Sequence, residues 1–477
     1  MDMTSDRAGH FYIDGDWHAP VAPAPAIPVI DPATETRIGR VAAGSAADID
    51  RAVAAATRAF PAFAISPVAD RIALLGRIAA LLEERAEDFA RAIATEMGAA
   101  IGFARASQVP FAIAHVRAQM EVLADYAFER QEAGFTLCKE AIGVCALITP
   151  WNWPLYQITA KVAPAIAAGC PVVLKPSELS PYSALLFAQV MHDAGTPPGV
   201  FNLVGGTGEV VGAALAAHPD IAMISLTGST RAGVLVAQGA AVSVKRVVQE
   251  LGGKSPNILL PDADFAQAVP RGVMAGMRNV GQSCSAPTRM LVPADRLAEV
   301  EALAAAAAAE WRVGPPGDEA TTMGPIANAA QHARVQAMIA AGQAEGARLV
   351  AGGPGRPAGL DRGFYVRPTV FSGVTRDMRI AREEIFGPVL CIMPYADEDE
   401  AVSIANDTVY GLGAHVQSGD PVRAKAIARR IRSGQVHINY PAWTAHAPFG
   451  GYKQSGNGRE YGVHGFEEYL ETKAILA

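Results

Sequence analysis

Between residues 142 and 230 the chain alternates short apolar runs with stretches of helical length. The runs "IGVCALITP", "PVVLKP", "VFNLVGG" and "IAMISLTGS" each close on Gly, Pro or Ser. Strands buried on both faces of a parallel sheet read as such continuous apolar runs, and joining them in parallel requires a long crossover, usually a helix. A second strand–helix series follows, with "SPNILL", "RMLVP", the alanine-rich "RLAEVEALAAAAAAEW", "ARLVAGG" and "PVLCIMPY". The pattern predicts two α/β domains in sequence. Ahead of them, residues 48–130 read mostly as helices. "DIDRAVAAATRAFPAF" opens with Asp48 as its cap, and "RIALLGRIAALLEERAEDFARAIATEMG" carries apolar residues at helical spacing to a stop at Gly98. Residues 131–141, "QEAGFTLCKEA", and the C-terminal "EEYLETKAILA" are strand-like. Pattern alone allows them to be ordinary edge strands or an element apart from the main sheets.

A chain of 477 residues, half of them hydrophobic and 18% charged, has the length for two or three domains and the composition of a globular enzyme. Its net charge of −7 argues against nucleic acid or an anionic membrane as the main partner. The five cysteines, Cys138, Cys145, Cys170, Cys284 and Cys391, include no CxxC spacing. An odd, sparse set argues against a disulfide framework or a bound metal and fits a reducing cytoplasm. The N-terminal text lacks the basic start and apolar core of a secretion signal, and no apolar run approaches the ~20 residues of a membrane span. The expectation is a cytoplasmic protein without metal.

Where chemistry could sit is less obvious. Gly253-Lys254-Ser255 is the tail of a phosphate-binding loop, yet that motif needs a glycine where Val248 stands. Glu250 then calls for another explanation: it follows the run "VSVKRVV" and precedes Gly252 and Gly253. A glutamate so placed is either a solvated loop residue or a base brought close to a ligand. In "NVGQSCSAPTR" (279–289), Cys284 lies among small and polar residues, which fits an accessible thiol as well as a buried structural one. Asn152, in "TPWNWP" at the end of an apolar run, is either a turn residue or a donor aimed at a ligand. Gly206-x-Gly208-x-x-x-Gly212 is one residue too long for the dinucleotide fingerprint. In "KPSE" (175–178) a lysine and a glutamate at a strand's carboxyl end could hold ribose hydroxyls.

Taken together and in order, "TPWNWP", "KPSE", "LTGST" (226–230), "ELGGKSP" (250–256), "GQSCSA" (281–286), "EEIFGPV" (383–389) and "PFGGYKQSGNGRE" (448–460) resemble the NAD(P)-dependent aldehyde dehydrogenases along essentially the whole chain. The resemblance implies two doubly wound Rossmann-like α/β domains plus a small β oligomerisation arm. Residues 1–122 and 142–252 would form the dinucleotide-binding domain, 253–446 the catalytic domain, and 123–141 with 462–477 the arm of a homodimer or homotetramer. It implies Cys284 as nucleophile, Glu250 as the base for the deacylating water, and Asn152 as the side-chain half of an oxyanion hole. Lys175 and Glu178 would clamp the adenosine ribose, Ser229 would meet the pyrophosphate at a helix N-terminus, and Glu384 and Phe386 would hold the nicotinamide ribose and ring. Ile148, Thr149, Trp151, Ser177, Gly208, Thr227, Gly228 and Leu251 complete the implied cofactor set, and Lys161 and Glu460 match a proton-relay path. NAD is the expected cofactor, because Glu178 should repel a 2′-phosphate, with NADP possible in relatives of this kind.

The implied reaction oxidises an aldehyde to its acid through a cysteine thiohemiacetal and thioester. Small departures bear on substrate and packing: Leu226 stands where phenylalanine is usual, Ala160 where an aromatic often lines the aldehyde tunnel, and Trp443 and His446 lie in the variable loop at its mouth. Three rivals remain at this level. A CoA-acylating relative commonly lacks a glutamate at position 250, a cysteine hydrolase would need a histidine partner for Cys284, and a non-catalytic scaffold would not need Cys284, Glu250 and Asn152 together.

Overall fold

The computed structural model describes residues 6–476. Five of the apolar runs become the parallel heart of an eight-stranded sheet, in the order Arg246–Glu250, Met223–Thr227, Cys145–Ile148, Val172–Lys175, Phe201–Leu203. The short strand Gly456–Asn457 pairs antiparallel at one edge, and the hairpin Phe11–Ile13/Asp16–His18 closes the other. Successive side chains of a strand face opposite ways, and the packing follows that alternation. Cys145, Leu147, Val172 and Leu174 enter a core shared with helices Val68–Glu84, Val109–Asp125, Pro154–Ala168 and Pro181–Asp193. Ala146, Ile148 and Val173 enter a second core with helices Ala46–Ala64 and Thr230–Ala241. Helix Pro154–Ala168 is buried along its whole length, which accounts for its lack of a polar face.

The second sheet has seven strands, in the order Arg348–Ala351, Thr369–Ser372, Val389–Tyr395, Arg289–Pro293, Pro256–Leu259, Gly413–Gln417, Gln435–Ile438. All neighbours pair in parallel except the first two. "ARLVAGG" is thus an antiparallel edge strand rather than a member of the parallel series. A loop, not a crossover helix, leads from it to Thr369–Ser372, and that connection permits antiparallel pairing.

Strands Leu470–Leu476, Phe135–Ala141 and Glu129–Glu132 form a separate antiparallel sheet, so "QEAGFTLCKEA" and the C-terminal run stand apart from the two main sheets. Two local expectations are corrected. Ser45, not Asp48, caps the first long helix; Asp48 sits three residues in and returns the bond, with its carboxylate accepting from the Ser45 N–H at 2.8 Å. The helical text through Gly98 is two helices, Val68–Glu84 and Ala86–Met97, bent at Arg85. There the Arg85 guanidinium meets Asp193 at 2.7 Å, a tertiary partner that periodicity does not carry. Gly98 does end the second helix, in the left-handed conformation (φ 83°) that favours glycine. No helix among the described residues is long and apolar enough to cross a membrane.

Candidate active site

Strand Arg246–Glu250 delivers Glu250 at its carboxyl end, between Thr227 of one neighbour and Gly456 of the other. The chain then runs through Leu251, Gly252 and Gly253 into the second sheet. A Cβ on Gly252 would stand 2.4 Å from a Glu384 carboxylate oxygen, and one on Gly253 would stand 2.4 Å from the Cys284 carbonyl oxygen. Any larger residue would push one of these groups away, which explains the paired glycines. Gly253 N–H also donates to Glu384 at 3.0 Å.

Cys284 arrives on a strained turn. Asn279 (φ 55°, ψ 34°) and Val280 (φ 61°, ψ 28°) are left-handed, and Gly281 follows at φ 67°. A β-branched residue at positive φ is held there only by its surroundings, at a cost of about 1–3 kcal/mol. The holding groups are four buried amides. Asn279 Nδ2 donates to the Asn152 carbonyl (2.9 Å) and the Gln282 carbonyl (3.2 Å), and Gln108 Nε2 donates to Asn279 Oδ1 (3.0 Å). Asn152 Nδ2 donates to the Gln282 carbonyl at 2.9 Å, and Gln282 Oε1 accepts from the Ala327 N–H at 3.0 Å. An amide nitrogen carries two hydrogens, so one Asn152 N–H remains without a partner among the described residues. Gln108, Asn279 and Gln282 were not singled out from sequence. Two of them lie inside the "NVGQSC" text, but Gln108 sits on a distant helical segment with no local signal.

Two chambers meet at the thiol. The first, of ≈290 Å³, is walled by Phe111, Trp153, Tyr156, Trp443, Phe449 and Tyr461. The second, of ≈470 Å³, is lined by Trp151, Asn152, Thr227, Gly228, Ser229, Glu384 and Phe386. Cys284 lines both. Ala160 is buried in its helix and lines neither, whereas Trp443 stacks on Phe111 with ring centroids 4.3 Å apart. His446 is exposed and faces Glu121 at 3.0 Å.

The second chamber gathers the strand ends of the first sheet. Thr227 Oγ1 is buried without a hydrogen-bond partner among the described residues, and Ser229 Oγ caps helix Thr230–Ala241 by accepting from the Ala232 N–H at 3.2 Å. Trp151 meets Phe386 edge to face at 5.4 Å. The Ile385 and Phe386 carbonyls each accept from Gln331 Nε2 at 2.8 Å. Further along the sheet edge, Ile148 ends its strand, Thr149 N–H donates to the Lys175 carbonyl at 3.1 Å, and Lys175 Nζ pairs with Glu178 at 3.0 Å. Ser177 and Glu178 border a smaller hollow with Gly205 and Gly206. Leu251 is buried in the core beneath helix Thr230–Ala241, and Gly208 is exposed and lines none of these spaces.

The electrostatics keep protons in place. Glu250 is buried, and neither carboxylate oxygen has a hydrogen-bond partner among the described residues. Burial first, and then the Glu460 charge, push its pKa well above the usual carboxylate range, against the pull of Lys161 and Arg459. Glu460 itself is ion-paired with Lys161, whose Nζ also donates to Ser225 Oγ at 3.1 Å. Burial raises Glu384 to about 7, opposed by the Gly253 N–H and by Lys254 and Arg334. Burial also raises the Cys284 thiol, with the Glu250 and Glu384 carboxylates acting in the same direction.

Residues 17–475 match the model of the aldehyde dehydrogenase family. The chain is 52% identical over 467 residues to 3-succinoylsemialdehyde-pyridine dehydrogenase of a Pseudomonas species, covering 98% of each. Among solved structures, a cysteine-to-alanine variant of aldehyde dehydrogenase C from Pseudomonas syringae, in complex with NAD+ and octanal, is 68% identical with a TM-score of 0.98, covering 98% of this chain and 97% of that one. A Mycobacterium tuberculosis aldehyde dehydrogenase in complex with NAD+ is 40% identical with a TM-score of 0.96, covering 98% of each chain.

Because the thiolate is the reactive form, iodoacetamide should label Cys284 slowly at about pH 7. The rate should keep climbing beyond about pH 9, above the ordinary thiol midpoint of ~8.5. Peptide mapping of the alkylated protein against pH checks this, and a plateau reached below about pH 8 would contradict it.

Proposed function

The chain belongs to the aldehyde dehydrogenase family, and on that premise we propose how its residues divide the oxidation of an aldehyde to the carboxylic acid. The observation that carries the reading is the single thiol shared by two chambers, one walled by aromatic rings and one lined by strand ends and a helix N-terminus. The second chamber fits a nicotinamide dinucleotide. The partnerless Thr227 Oγ1, the capped N-terminus at Ser229 and the Lys175–Glu178 pair offer hydroxyl, phosphate and ribose contacts in turn. In this reading Glu384 and Phe386 hold the nicotinamide end, Lys175, Ser177 and Glu178 the adenosine end, and Trp151 and Gly228 line the space between, with Ile148 and Thr149 at the adjoining strand end; Gly208 and Leu251 lie outside that surface. NAD is the preferred oxidant, and its contribution when bound is hydride acceptance.

The protein's own groups perform the rest. Cys284 Sγ bonds to the aldehyde carbon, and the oxyanion so formed is held by the free Asn152 N–H and the Cys284 backbone N–H. Removing one donor of this kind typically costs ~10²–10³ in turnover. Oxidation at the carbon held by Cys284 leaves a thioester. Glu250 then takes a proton from water, the water oxygen adds to the thioester carbonyl, and the acid leaves as Cys284 regains its proton. A raised pKa makes Glu250 a better base than an exposed carboxylate, and the Glu460–Lys161 pair beside it offers the proton a route onward. The presence of Glu250 supports water over CoA as the acyl acceptor. No histidine hydrogen-bonds Cys284 among the described residues, which weighs against a cysteine hydrolase.

The aromatic first chamber supports an aldehyde with an apolar body, as do the octanal bound by the Pseudomonas syringae structure and the pyridine-bearing substrate in the curated relative's name. We further propose residues 1–122 and 142–252 as the dinucleotide domain and 253–446 as the catalytic domain. Residues 123–141 and 462–477, which include the separate sheet of Leu470–Leu476, Phe135–Ala141 and Glu129–Glu132, would serve as the arm of a homodimer or homotetramer. Five free cysteines are consistent with a cytoplasmic location.

Two variants test the assignments. Cys284→Ala should bind NAD, as read by quenching of tryptophan fluorescence, yet yield no NADH even in a single-turnover burst; a normal burst would overturn Cys284 as nucleophile. Wild-type kcat/KM should favour NAD over NADP, and Glu178→Ser should narrow that preference by removing charge repulsion against the 2′-phosphate. A wild-type preference for NADP would contradict the ribose clamp.

A further inference from the structure

One wall of the first chamber carries two histidines that the reaction leaves without a task. His415 and His437 both line it. They stand opposite each other on the parallel strands Gly413–Gln417 and Gln435–Ile438, so their rings emerge on one face of the sheet and stack with centroids 4.7 Å apart. His415 is the one half-buried residue of its strand; Gly413, Ala414, Val416 and Gln417 are buried. That strand lies between two others, Pro256–Leu259 and Gln435–Ile438, so the exposure its ring retains is to the chamber. Two residues back on the same face, a Cβ on Gly413 would stand 3.5 Å from Ser285 Cβ, next in the chain to the nucleophile. Same-face positions are about 7 Å apart along a strand, so His415 faces a part of the chamber a few methylene groups from Cys284.

Burial holds both rings below their ordinary pKa, His415 at about 3, so each is neutral and carries a single N–H. The two nitrogens of His415 differ. Nδ1 is sealed from solvent and has no hydrogen-bond partner among the described residues; Nε2 likewise has none, but it is not sealed. A hydrogen on Nδ1 would be a buried donor without an acceptor, the rarer kind of orphan in folded proteins. The hydrogen therefore belongs on Nε2, where a molecule in the chamber can accept it. Neighbouring donors are already committed. Gln435 Nε2 donates to the Pro448 and Ala447 carbonyls (2.8 and 3.5 Å), and the Tyr440 hydroxyl donates to the Ala268 carbonyl at 3.2 Å.

We propose that His415 Nε2–H is a hydrogen-bond donor that selects aldehydes bearing an uncharged acceptor oxygen, an ether or a ketone, along the chain beyond the aldehyde carbon. The aromatic walls take the hydrocarbon on either side of that oxygen, and the stacked ring of His437 holds the donor in place from the edge strand. A plain hydrocarbon chain displaces water and leaves the Nε2–H unmet, so selectivity comes as much from rejecting such chains as from holding the oxygen. This rests on the aldehyde-oxidising reading above, with Cys284 taking the aldehyde carbon.

The test compares kcat/KM for 5-methoxypentanal with that for heptanal, a chain of equal length, in wild type, His415→Leu, His415→Asn and His437→Phe. The ratio should fall about fivefold in His415→Leu, the usual worth of one hydrogen bond. It should recover in part in His415→Asn, which restores an N–H, and hold in His437→Phe, which keeps a stacking ring without nitrogens. An unchanged ratio in His415→Leu, or an equal or larger fall in His437→Phe, would overturn the proposal. A wild-type comparison decides even if the variants do not fold. The isomers 5-methoxypentanal and 4-ethoxybutanal differ only in where the oxygen sits, and a fixed donor should separate their kcat/KM severalfold; equal values would overturn the proposal. A further readout is independent of turnover: titration of tryptophan fluorescence with 5-methoxypentanoate and with heptanoate, whose affinity ratio should also fall in His415→Leu. Such a fall in a protein that oxidises neither aldehyde would overturn the oxidation reading while upholding the donor. Its absence in a protein that oxidises both would overturn the donor alone.

Discussion

Everything at the site depends on how closely the backbone passes beneath the nucleophile. Strand Arg246–Glu250 ends in the first sheet and strand Pro256–Leu259 begins in the second, so the short stretch between them ties the two sheets together. Within it Gly253 packs against the Cys284 carbonyl and Gly252 against the Glu384 carboxylate, with room for no Cβ at either position. On the opposite side Gly281 is pressed against the Gly387 carbonyl, where a Cβ would stand 2.1 Å away. Three glycines thus bring together a base from one sheet, a thiol from the other and the loop carrying Glu384. Glycine's conformational freedom matters only at Gly281, which is left-handed; at Gly252 and Gly253 its small size is what counts.

That proximity has an electrostatic consequence. Burial raises the Cys284 thiol, with the Glu250 and Glu384 carboxylates acting in the same direction, and burial together with the Glu460 charge raises Glu250. Both shifts favour the neutral form of each group, and a cationic ligand group brought beside the thiol would favour its thiolate. The backbone strain at Asn279 and Val280 persists for a related reason. Four buried amides bond around that turn, one pair to each other and the rest to backbone groups, so the local cost is offset by a network that also leaves an Asn152 N–H free at the thiol's chamber.

Strand existence was legible because parallel strands buried on both faces must be apolar throughout, and "CALI", "VVLK" and "MISLT" could be little else. Cys284, Glu250 and Asn152 were legible as candidates from their neighbours, small residues and strand ends, and their joint roles only through resemblance. What stayed hidden depends on tertiary partners. The Ser45–Asp48 cap needed the true start of the helix, and Arg85, at the bend between two helices, meets Asp193 far along the chain. The antiparallel edge strand "ARLVAGG" depends on a connection rather than on composition.

In the proposed mechanism Cys284 carries the acyl group and Glu250 acts only in releasing it. The direct measurement is rapid-quench kinetics of Glu250→Gln with intact-protein and peptide mass spectrometry. Glutamine keeps size and polarity but cannot accept the water's proton. The variant should give an NADH burst of roughly one equivalent per site, a steady rate lower by about 10²–10⁴, and the acyl mass on the peptide containing Cys284. Loss of the burst together with the steady rate would mean that Glu250 chiefly ionises the thiol. An unchanged steady rate with no acyl mass on that peptide would rule out both the acyl-carrying role of Cys284 and the deacylating role of Glu250.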